Sequence, residues 1–337
     1  MSDTLMISVS GIRGLVGIDL TPEMVARWAA AFGTWARTGK KSRVVLGRDA
    51  RTSGPMFAKA ATAGLQSVGC SVVDVGLVAT PTVQLAVEHH RAAGGIMLTA
   101  SHNPIEWNAL KFVGPDGIFL DTQAATRVRE LAAGGETQAL QRAKYNAIGG
   151  VEADSEAISR HLAAVLALPG VDVKAIKRRR FHVALDTVRG AGGAVMPELL
   201  KRLGCRVTAI NLETDGLFPR APEPVPENLK ALGALVRRSK ADVGIAVDPD
   251  VDRLAIVDEK GRPIGEDYTL AFAIRSVLGK NRGQRATRDG KRVVVCNLST
   301  SLVVEDAARE FGANVVRAPV GEAHVARKII QLKSVVG

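Results

Sequence analysis

Three helix-to-strand junctions with one shared pattern constrain the fold of this chain more than any other feature. They read LQSVGCSV (65–72), LKRLGCRV (200–207) and AREFGANV (308–315). In each, an apolar residue, a glycine, a small residue and a valine recur at fixed offsets. Glycine suits the end of a helix because it adopts left-handed backbone angles without a Cβ penalty. Three such junctions in order predict three related α/β units.

Apolar strand-like runs alternate with helical periods along almost the whole chain, which is typical of α/β units. We predict that the units occupy residues 1–150, 151–258 and 259–337. A glycine-punctuated, weakly periodic stretch, Ala132–Asp154, lies at the first boundary. The turn-like Asp258–Pro263 lies near the second.

The composition of the chain indicates which kinds of partner and which location to expect. Hydrophobic residues make up 46% of the 337 residues, which is ample for buried cores. The chain shows neither a signal-peptide pattern nor an apolar run of roughly 18–20 residues, so we expect a soluble, cytoplasmic protein without a membrane partner. The net charge is +11, but aromatic residues are only 4% and one basic cluster stands out, Lys174–Arg180. We therefore expect anionic small substrates and no nucleic acid. The sequence does not indicate an oligomeric state.

A polar loop follows the apolar strand GGIML and reads TASHNPIEWNALKF, with Ser101 near its start. In open α/β sheets, ligands bind outside the carboxyl ends of the strands. One interpretation is a simple turn, since Ser, Asn and Pro are turn formers. A second is a serine hydrolase with His102 as base, although the G-x-S-x-G elbow is missing. A third makes Ser101 a phosphoryl carrier, with Arg13, His102 and Lys111 as candidate partners of the phosphate.

A second polar loop follows the apolar run VGIAV and contains Asp248, Asp250 and Asp252, with Arg253 next. Three carboxylates on alternate positions repel one another, and they could place three hard oxygens around one Mg²⁺. The spacing also imitates an EF-hand up to Glu259, but Arg253 stands where that loop needs glycine, and a strand precedes it. The loop could instead belong to a haloacid-dehalogenase-type phosphatase with Asp248 as nucleophile, or form a charged surface turn. The pattern favours the metal site.

The two loops together, TASHNP followed later by DPDVDR, resemble the α-D-phosphohexomutase superfamily. SGIRG resembles the first-domain loop of that family and gives Arg13 a phosphate-contacting role. SHNPIEWNALK matches the phosphoserine loop through Lys111, with Ala109 where the family usually has glycine. GRDARTSG (Gly47–Gly54) also fits the first domain. The resemblance implies phosphohexomutase domains I–III, with mixed-sheet α/β architecture.

The resemblance implies a phosphoryl exchange. Phosphorylated Ser101 gives its phosphate to a hexose monophosphate, and the resulting bisphosphate reorients and returns its other phosphate. A hexose 1,6-bisphosphate is the implied activator, and Arg253 is implied to contact the substrate or its phosphate. His102 and Lys111 are the candidates for general acid/base work. The implied ligands of one Mg²⁺ per chain are Ser101, Asp248, Asp250 and Asp252.

The loop PVGEAHVA (Pro319–Ala326) matches the segment from which this family reads its sugar. It has Glu322 and His324 without the Ser-Gly of the glucose/mannose pattern, and so resembles phosphoglucosamine mutases and archaeal-type enzymes. We expect conversion of glucosamine 6-phosphate to glucosamine 1-phosphate; the alternative within the class is a phosphomannomutase/phosphoglucomutase. Glu322 and His324 could also merely begin a helix.

The resemblance implies that the third unit is incomplete and that the family's fourth domain is missing, since we do not find the Arg-Ser-Gly-Thr phosphate loop of that domain in this sequence. Remote phosphate binding stabilises the transition state as well as the bound substrate. The activity of this chain by itself is therefore left open, and an alternative of another class is a non-catalytic phosphosugar-binding fragment.

Overall fold

The structure is a computed structural model that describes residues 4–8, 11–37, 42–134, 140–280 and 292–337. Ser10 of the SGIRG motif lies outside the described residues, whereas Arg13 lies within them. The described chain forms a seven-stranded, a four-stranded and a two-stranded sheet, each flanked by helices. The predicted α/β fold class is thereby confirmed. The boundaries near residues 150 and 258 stay predictions.

The first unit contains a mixed sheet in the strand order β1-β2-β6-β5-β3-β4-β7. Strands β3, β4, β5 and β7 are parallel, and β2 and β6 run antiparallel to their neighbours. Its strands are β1 (Met6–Ser8), β2 (Gly11–Leu15), β3 (Arg43–Arg48), β4 (Ser71–Leu77), β5 (Gly94–Leu98), β6 (Trp107–Val113) and β7 (Val151–Ala153). Its helices are α1 (Pro22–Ala36), α2 (Gly54–Gln66), α3 (Thr80–His89) and α4 (Thr122–Ala133).

The second unit is built on a four-stranded sheet in the order β11-β10-β8-β9, in which only β11 is antiparallel. Its helices are α5 (Ala157–Leu166), α6 (Val173–Arg179), α7 (Gly192–Arg202) and α8 (Lys230–Ser239). Its strands are β8 (His182–Asp186), β9 (Arg206–Ile210), β10 (Val243–Val247) and β11 (Leu254–Val257).

The third unit has two parallel strands within the described residues. Its elements are α9 (Asp267–Lys280), β12 (Arg292–Asn297), α10 (Val303–Arg309), β13 (Ala313–Ala318) and α11 (Glu322–Leu332). Two short 3₁₀ turns, Tyr145–Ala147 and Pro226–Asn228, complete the described helical segments.

The junction glycines that predicted three units have the expected backbone conformation. Gly69, Gly204 and Gly312 have φ angles of 80°, 72° and 64° and lie just before β4, β9 and β13. A side chain is strained in this left-handed region, whereas glycine is not. The same chain reversal therefore ends a helix and starts a parallel strand in each unit.

The units pack together through apolar side chains. Helix α5 packs against α3 and α7, and Ala79, Leu162 and Val195 form one buried cluster between the first two units. Ala323, at the start of α11, joins a buried cluster of the first unit that includes Val83. Loops from all three units are thereby held around one cavity. Within the described part of the chain, no helix combines the length and apolar character needed to cross a bilayer.

Candidate active site

The loop that carries Ser101 follows the carboxyl end of β5 and holds the serine in an unusual backbone conformation. Ser101 has a φ of 49°, which is rare for a residue with a Cβ, and its side chain is mostly buried. Its backbone N–H donates to Thr99 Oγ1 at 2.9 Å, and Thr99 Oγ1 donates to Asp49 Oδ2 at 2.6 Å. Strained conformations persist where surrounding contacts fix them. The hydrogen bonds through Thr99 to Asp49 therefore fix the conformation of the loop.

Arg51 supplies most of that support; it lies in the GRDARTSG motif, but the sequence assigned it no role of its own. Its side chain is fully buried and donates to the carbonyl oxygens of the serine loop at 2.7–2.9 Å. Its Nε also pairs with Asp49 at 3.2 Å, and its guanidinium packs over the ring of Phe218 from the second unit, 5.0 Å from the ring centre. The carbonyls that Arg51 holds belong to Ser101, Asn103, Pro104 and Trp107. A planar guanidinium with five N–H donors can meet this many acceptors at once.

The predicted acidic cluster lies between β10 and β11, directly opposite Ser101. Ser101 Oγ donates to Asp248 Oδ2 at 2.8 Å. The other oxygen of Asp248 accepts the backbone N–H groups of Asp252 and Arg253, both at 3.1 Å. Val251, directly before Asp252, has a φ of 61°, which is strained for a β-branched residue. The structure therefore brings together two loops that lie almost 150 residues apart in the sequence.

Lys111 and Thr80 of the first unit complete the surroundings of the acidic cluster. Lys111 Nζ lies 2.9 Å from Asp250 Oδ2 and 3.1 Å from Asp252 Oδ2. Thr80 Oγ1 donates to Asp250 Oδ2 at 2.6 Å. Burial opposes the charge on Lys111, but Asp250 and Asp252 outweigh it and raise the pKa of the ammonium above its usual range. Lys111 is therefore protonated and offsets part of the carboxylate repulsion.

The acidic cluster fits a divalent metal ion. Oxygens of Asp248, Asp250 and Asp252 lie within 4.8 Å of one another. Asp250 Oδ1 is buried and has no hydrogen-bond partner among the described residues. A buried carboxylate oxygen without a partner is costly, and carboxylates are the ligands that hard divalent cations prefer. The three acids can therefore hold such an ion, with Asp250 Oδ1 as a ready ligand atom.

We expect Mg²⁺ to bind more tightly as the pH rises. Burial, followed by the charges of Asp250 and Asp252, raises the pKa of Asp248 well above its usual range. Metal binding must then displace a proton, so the affinity should be higher at about pH 8 than at about pH 5.5. Titration calorimetry in buffers of different ionisation enthalpy measures both the affinity and the released proton. An affinity that does not change with pH contradicts this assignment.

A cavity of about 520 Å³ opens in front of Ser101. Asp248 and Asp250 lie buried behind it, and the remaining predicted site residues line it. The predicted residues on its wall are Arg13, Ser101, His102, Lys111, Asp252, Arg253, Glu322 and His324. The predicted residues thus converge on one cavity that combines cationic groups with the edge of the acidic cluster.

Several residues on the cavity wall are held by partners that the sequence did not predict. Arg253 pairs with Glu223, which also belongs to the second unit. Glu322 accepts a hydrogen bond from Gln84 of α3 at 2.9 Å. Although Glu322 is open to the cavity, desolvation by the protein atoms around its carboxyl raises its pKa, and Asp252 adds to this effect. No sequence signal indicated these partners, because Glu223 lies 30 positions from Arg253 and Gln84 lies 238 positions from Glu322.

His102 does not form a hydrolase-type catalytic triad. Its Nδ1 lies 3.4 Å from Ser101 Oγ, whereas the hydroxyl donates to Asp248 at 2.8 Å. A triad requires a carboxylate that is hydrogen-bonded to the histidine ring. Among the described residues, no carboxylate forms such a bond with His102. Burial, and then the charge of Arg253, lowers the pKa of His102, so the ring is neutral near pH 7. A neutral imidazole at this place can accept a proton.

The structure also argues against the EF-hand and phosphatase interpretations of the acidic loop. Strands β10 and β11 flank it, whereas an EF-hand loop joins two helices. Asp248 does not line the cavity, and its oxygens are engaged by Ser101 and by two backbone amides. It is therefore badly placed to attack a phosphate as a phosphatase nucleophile would.

The sequence matches the phosphoglucomutase/phosphomannomutase family along most of its length. Its alpha/beta/alpha domain I matches residues 5–139, domain II matches 159–261 and domain III matches 266–337.

Two curated relatives and one solved structure illustrate the similarity. The chain is 40% identical to a phosphoglucomutase/phosphomannomutase of Thermococcus kodakarensis over 97% of this chain and 69% of the relative. It is 37% identical to a probable phosphoglucosamine mutase of Methanopyrus kandleri over 95% and 67%. A putative phosphomannomutase of Thermus thermophilus superposes with a TM-score of 0.81 at 27% identity, covering 98% of this chain and 72% of that one.

Proposed function

Because this chain belongs to the phosphoglucomutase/phosphomannomutase family, we propose that it moves phosphate between positions 6 and 1 of a hexosamine phosphate through a phosphoserine at Ser101. The observation that carries this proposal is the 2.8 Å contact between Ser101 Oγ and Asp248, beside the buried oxygen of Asp250 that has no hydrogen-bond partner among the described residues. A hydroxyl seated on a metal-binding cluster is well placed to carry a phosphoryl group. At the coarser level of the reaction class, membership of a mutase family supports an isomerase that acts on hexose phosphates.

The site fits one Mg²⁺ per chain. Asp248, Asp250 and Asp252 would hold it, together with an oxygen on Ser101. When bound, it neutralises negative charge on the phosphoryl group in transfer, which is much of what phosphoryl transfer requires. We expect a hexose 1,6-bisphosphate to charge Ser101 and so to act as the activator. A cytoplasmic location stays a prediction.

In the first half-reaction, the bond between phosphorus and Ser101 Oγ breaks, and a new bond forms to the free hydroxyl of the sugar monophosphate. The hydroxyl proton needs an acceptor, and neutral His102 on the cavity wall is the candidate. The serine oxygen that leaves needs a proton or a cation, and protonated Lys111 is the candidate donor. The second half-reaction returns the other phosphate of the reoriented bisphosphate to Ser101, with the proton transfers reversed.

The cationic residues on the cavity wall bind the anionic ends of the substrate in this proposal. Arg13 of β2 and Arg253 beside the acidic cluster both face the cavity and can contact phosphate oxygens. Glu322 and His324 at the start of α11 contact sugar hydroxyls or the substituent at position 2. A carboxylate can accept hydrogen bonds from hydroxyls or pair with an ammonium, and the second possibility favours an amino sugar.

We predict that glucosamine phosphate exceeds glucose and mannose phosphates in kcat/KM, since Glu322 offers a negative charge to the ammonium. Phosphorus NMR on the competing 6-phosphates with Mg²⁺ and a hexose 1,6-bisphosphate follows the three conversions. Glu322→Gln keeps the size and removes the charge, so it should lower the value for the amino sugar by about 10- to 100-fold. The neutral sugars should lose less.

Glu310→Gln is the matched control for that variant, because within the described part of the chain the Glu310 side chain pairs just with Arg275, on the surface of the third unit. If glucose or mannose phosphate wins in the parent, the alternative phosphoglucomutase/phosphomannomutase activity replaces ours. If all three sugars fall equally in Glu322→Gln, this residue binds shared hydroxyls and does not choose the substrate. Binding without conversion in the parent favours a non-catalytic phosphosugar-binding fragment.

A further inference from the structure

The start of α11, which carries Glu322, is fixed against α3 of the first unit rather than held only by its own unit. Ala323 is buried in a cluster that includes Val83 of α3. Gln84 Nε2 donates to Glu322 Oε1 at 2.9 Å across the same contact. Further along α11, Arg327 pairs with Asp116 of the first unit at 3.2 Å. The position of Glu322 therefore depends on residues more than 200 positions earlier in the chain.

The contact from Gln84 has a chemical consequence because its donor is uncharged. The amide fixes one oxygen of the Glu322 carboxylate and leaves its negative charge in place. Among the described residues, no lysine or arginine forms an ion pair with Glu322, and its carboxylate faces the cavity beside Lys111. A lysine at position 84 would bind the same oxygen but would cancel the charge. Fixing the side chain in advance also reduces the entropy that binding has to overcome.

We infer that Gln84, a residue of the first unit, is a positioning residue that determines sugar specificity through its hydrogen bond to Glu322. This inference rests on the proposed function, because it takes Glu322 to be the group that meets the substituent at position 2 of the sugar. With Gln84 in place, the carboxylate is held at one orientation and an ammonium can pair with its free oxygen. Without it, the carboxylate is free to turn into solvent, and the amino sugar loses its advantage.

The test compares the dissociation constants of glucosamine 6-phosphate and glucose 6-phosphate for the parent and for Gln84→Met. Methionine keeps the length of the side chain and removes the amide donor. Gln84 is half-buried on a helix surface, so the variant should fold. The preference for the amino sugar should fall about tenfold, which is the effect of losing one hydrogen bond to a charged group. An unchanged preference overturns the inference.

Two further variants separate this role from simple docking of α11. Among the described residues, Arg327 makes the other polar contacts of α11 to the first unit, with Asp116 and with the Phe119 carbonyl. Arg327→Met removes both and should leave the preference unchanged; a loss as large as in Gln84→Met overturns the inference. In a Glu322→Gln background, Gln84→Met should change the preference by less than about twofold, since the two residues act as one unit. A further tenfold loss there overturns it as well.

The parent and the variants report on different claims. A parent that does not prefer the amino sugar contradicts the proposed substrate and overturns this inference with it. If the parent prefers the amino sugar and Gln84→Met prefers it equally, the proposed function stands and only the inference is overturned.

Discussion

Asp250→Asn should lower phosphoryl transfer by at least about 10³-fold, the scale of losing a key electrostatic contribution to such a reaction. One oxygen of Asp250 has no hydrogen-bond partner in the described part of the chain, and the other is bound by Lys111 and Thr80. Asparagine keeps the shape but removes the charge that a divalent ion needs and that Lys111 now balances. Titration calorimetry should show weakened Mg²⁺ binding, and circular dichroism should show that the fold is retained.

Asp258→Asn provides the matched control for this change. Asp258 lies just after β11, and among the described residues its side chain bonds just to the turn residues Lys260 and Arg262, so the same replacement there should leave Mg²⁺ affinity and turnover unchanged. Undiminished turnover in Asp250→Asn would return the acidic loop to the interpretation as a charged surface turn.

Arg51→Met should destabilise the fold by about 3–5 kcal/mol, the range observed when one partner of a buried ion pair is removed. The variant leaves the buried carboxylate of Asp49 without its cation and deprives the carbonyls of the serine loop of their donors. The pKa of Asp49 is already raised by burial, and Arg51 is the main influence that lowers it. Urea unfolding, read from the midpoint and the slope, measures the loss.

Arg43→Met removes an arginine whose ion pair with Glu152 is exposed and 3.9 Å long, so it should change the free energy of unfolding by less than about 0.5 kcal/mol. Removing both charges of the buried pair, in Asp49→Asn with Arg51→Met, should cost less than the sum of the two single changes. If Arg51→Met unfolds at the same urea concentration as Arg43→Met, the support of the serine loop does not depend on Arg51.

The repeated junctions and the two polar loops could be read from the sequence because each depends on neighbours along the chain. A glycine at a helix end, or a serine after a buried strand, carries its structural meaning within a few residues. The resemblance of the two loops to a known family then indicated that Ser101 and Asp248 meet. The structure places them 2.8 Å apart, as that interpretation requires.

The supports of the site could not be predicted, because their partners are distant in sequence and are often main-chain atoms. Arg51 binds carbonyl oxygens more than 50 positions away, and a carbonyl is the same in every residue. Glu223 and Gln84 look like ordinary surface residues in the sequence, but the fold brings Glu223 to Arg253 within the second unit and Gln84 of the first unit to Glu322 of the third. Charge and spacing indicated the groups that face the cavity, whereas tertiary packing, within and between units, determines how these groups are held.

The most direct test of the phosphoserine mechanism is to locate the phosphate. The protein is incubated with a hexose 1,6-bisphosphate and Mg²⁺, and peptide mass spectrometry maps the modified residue. Ser67→Ala, which changes a serine on the far side of the first unit, serves as the control that should label as the parent does. We predict one phosphate per chain, on Ser101, and none in Ser101→Ala. Phosphate on another residue, or labelling that survives in Ser101→Ala, would contradict the phosphoserine mechanism.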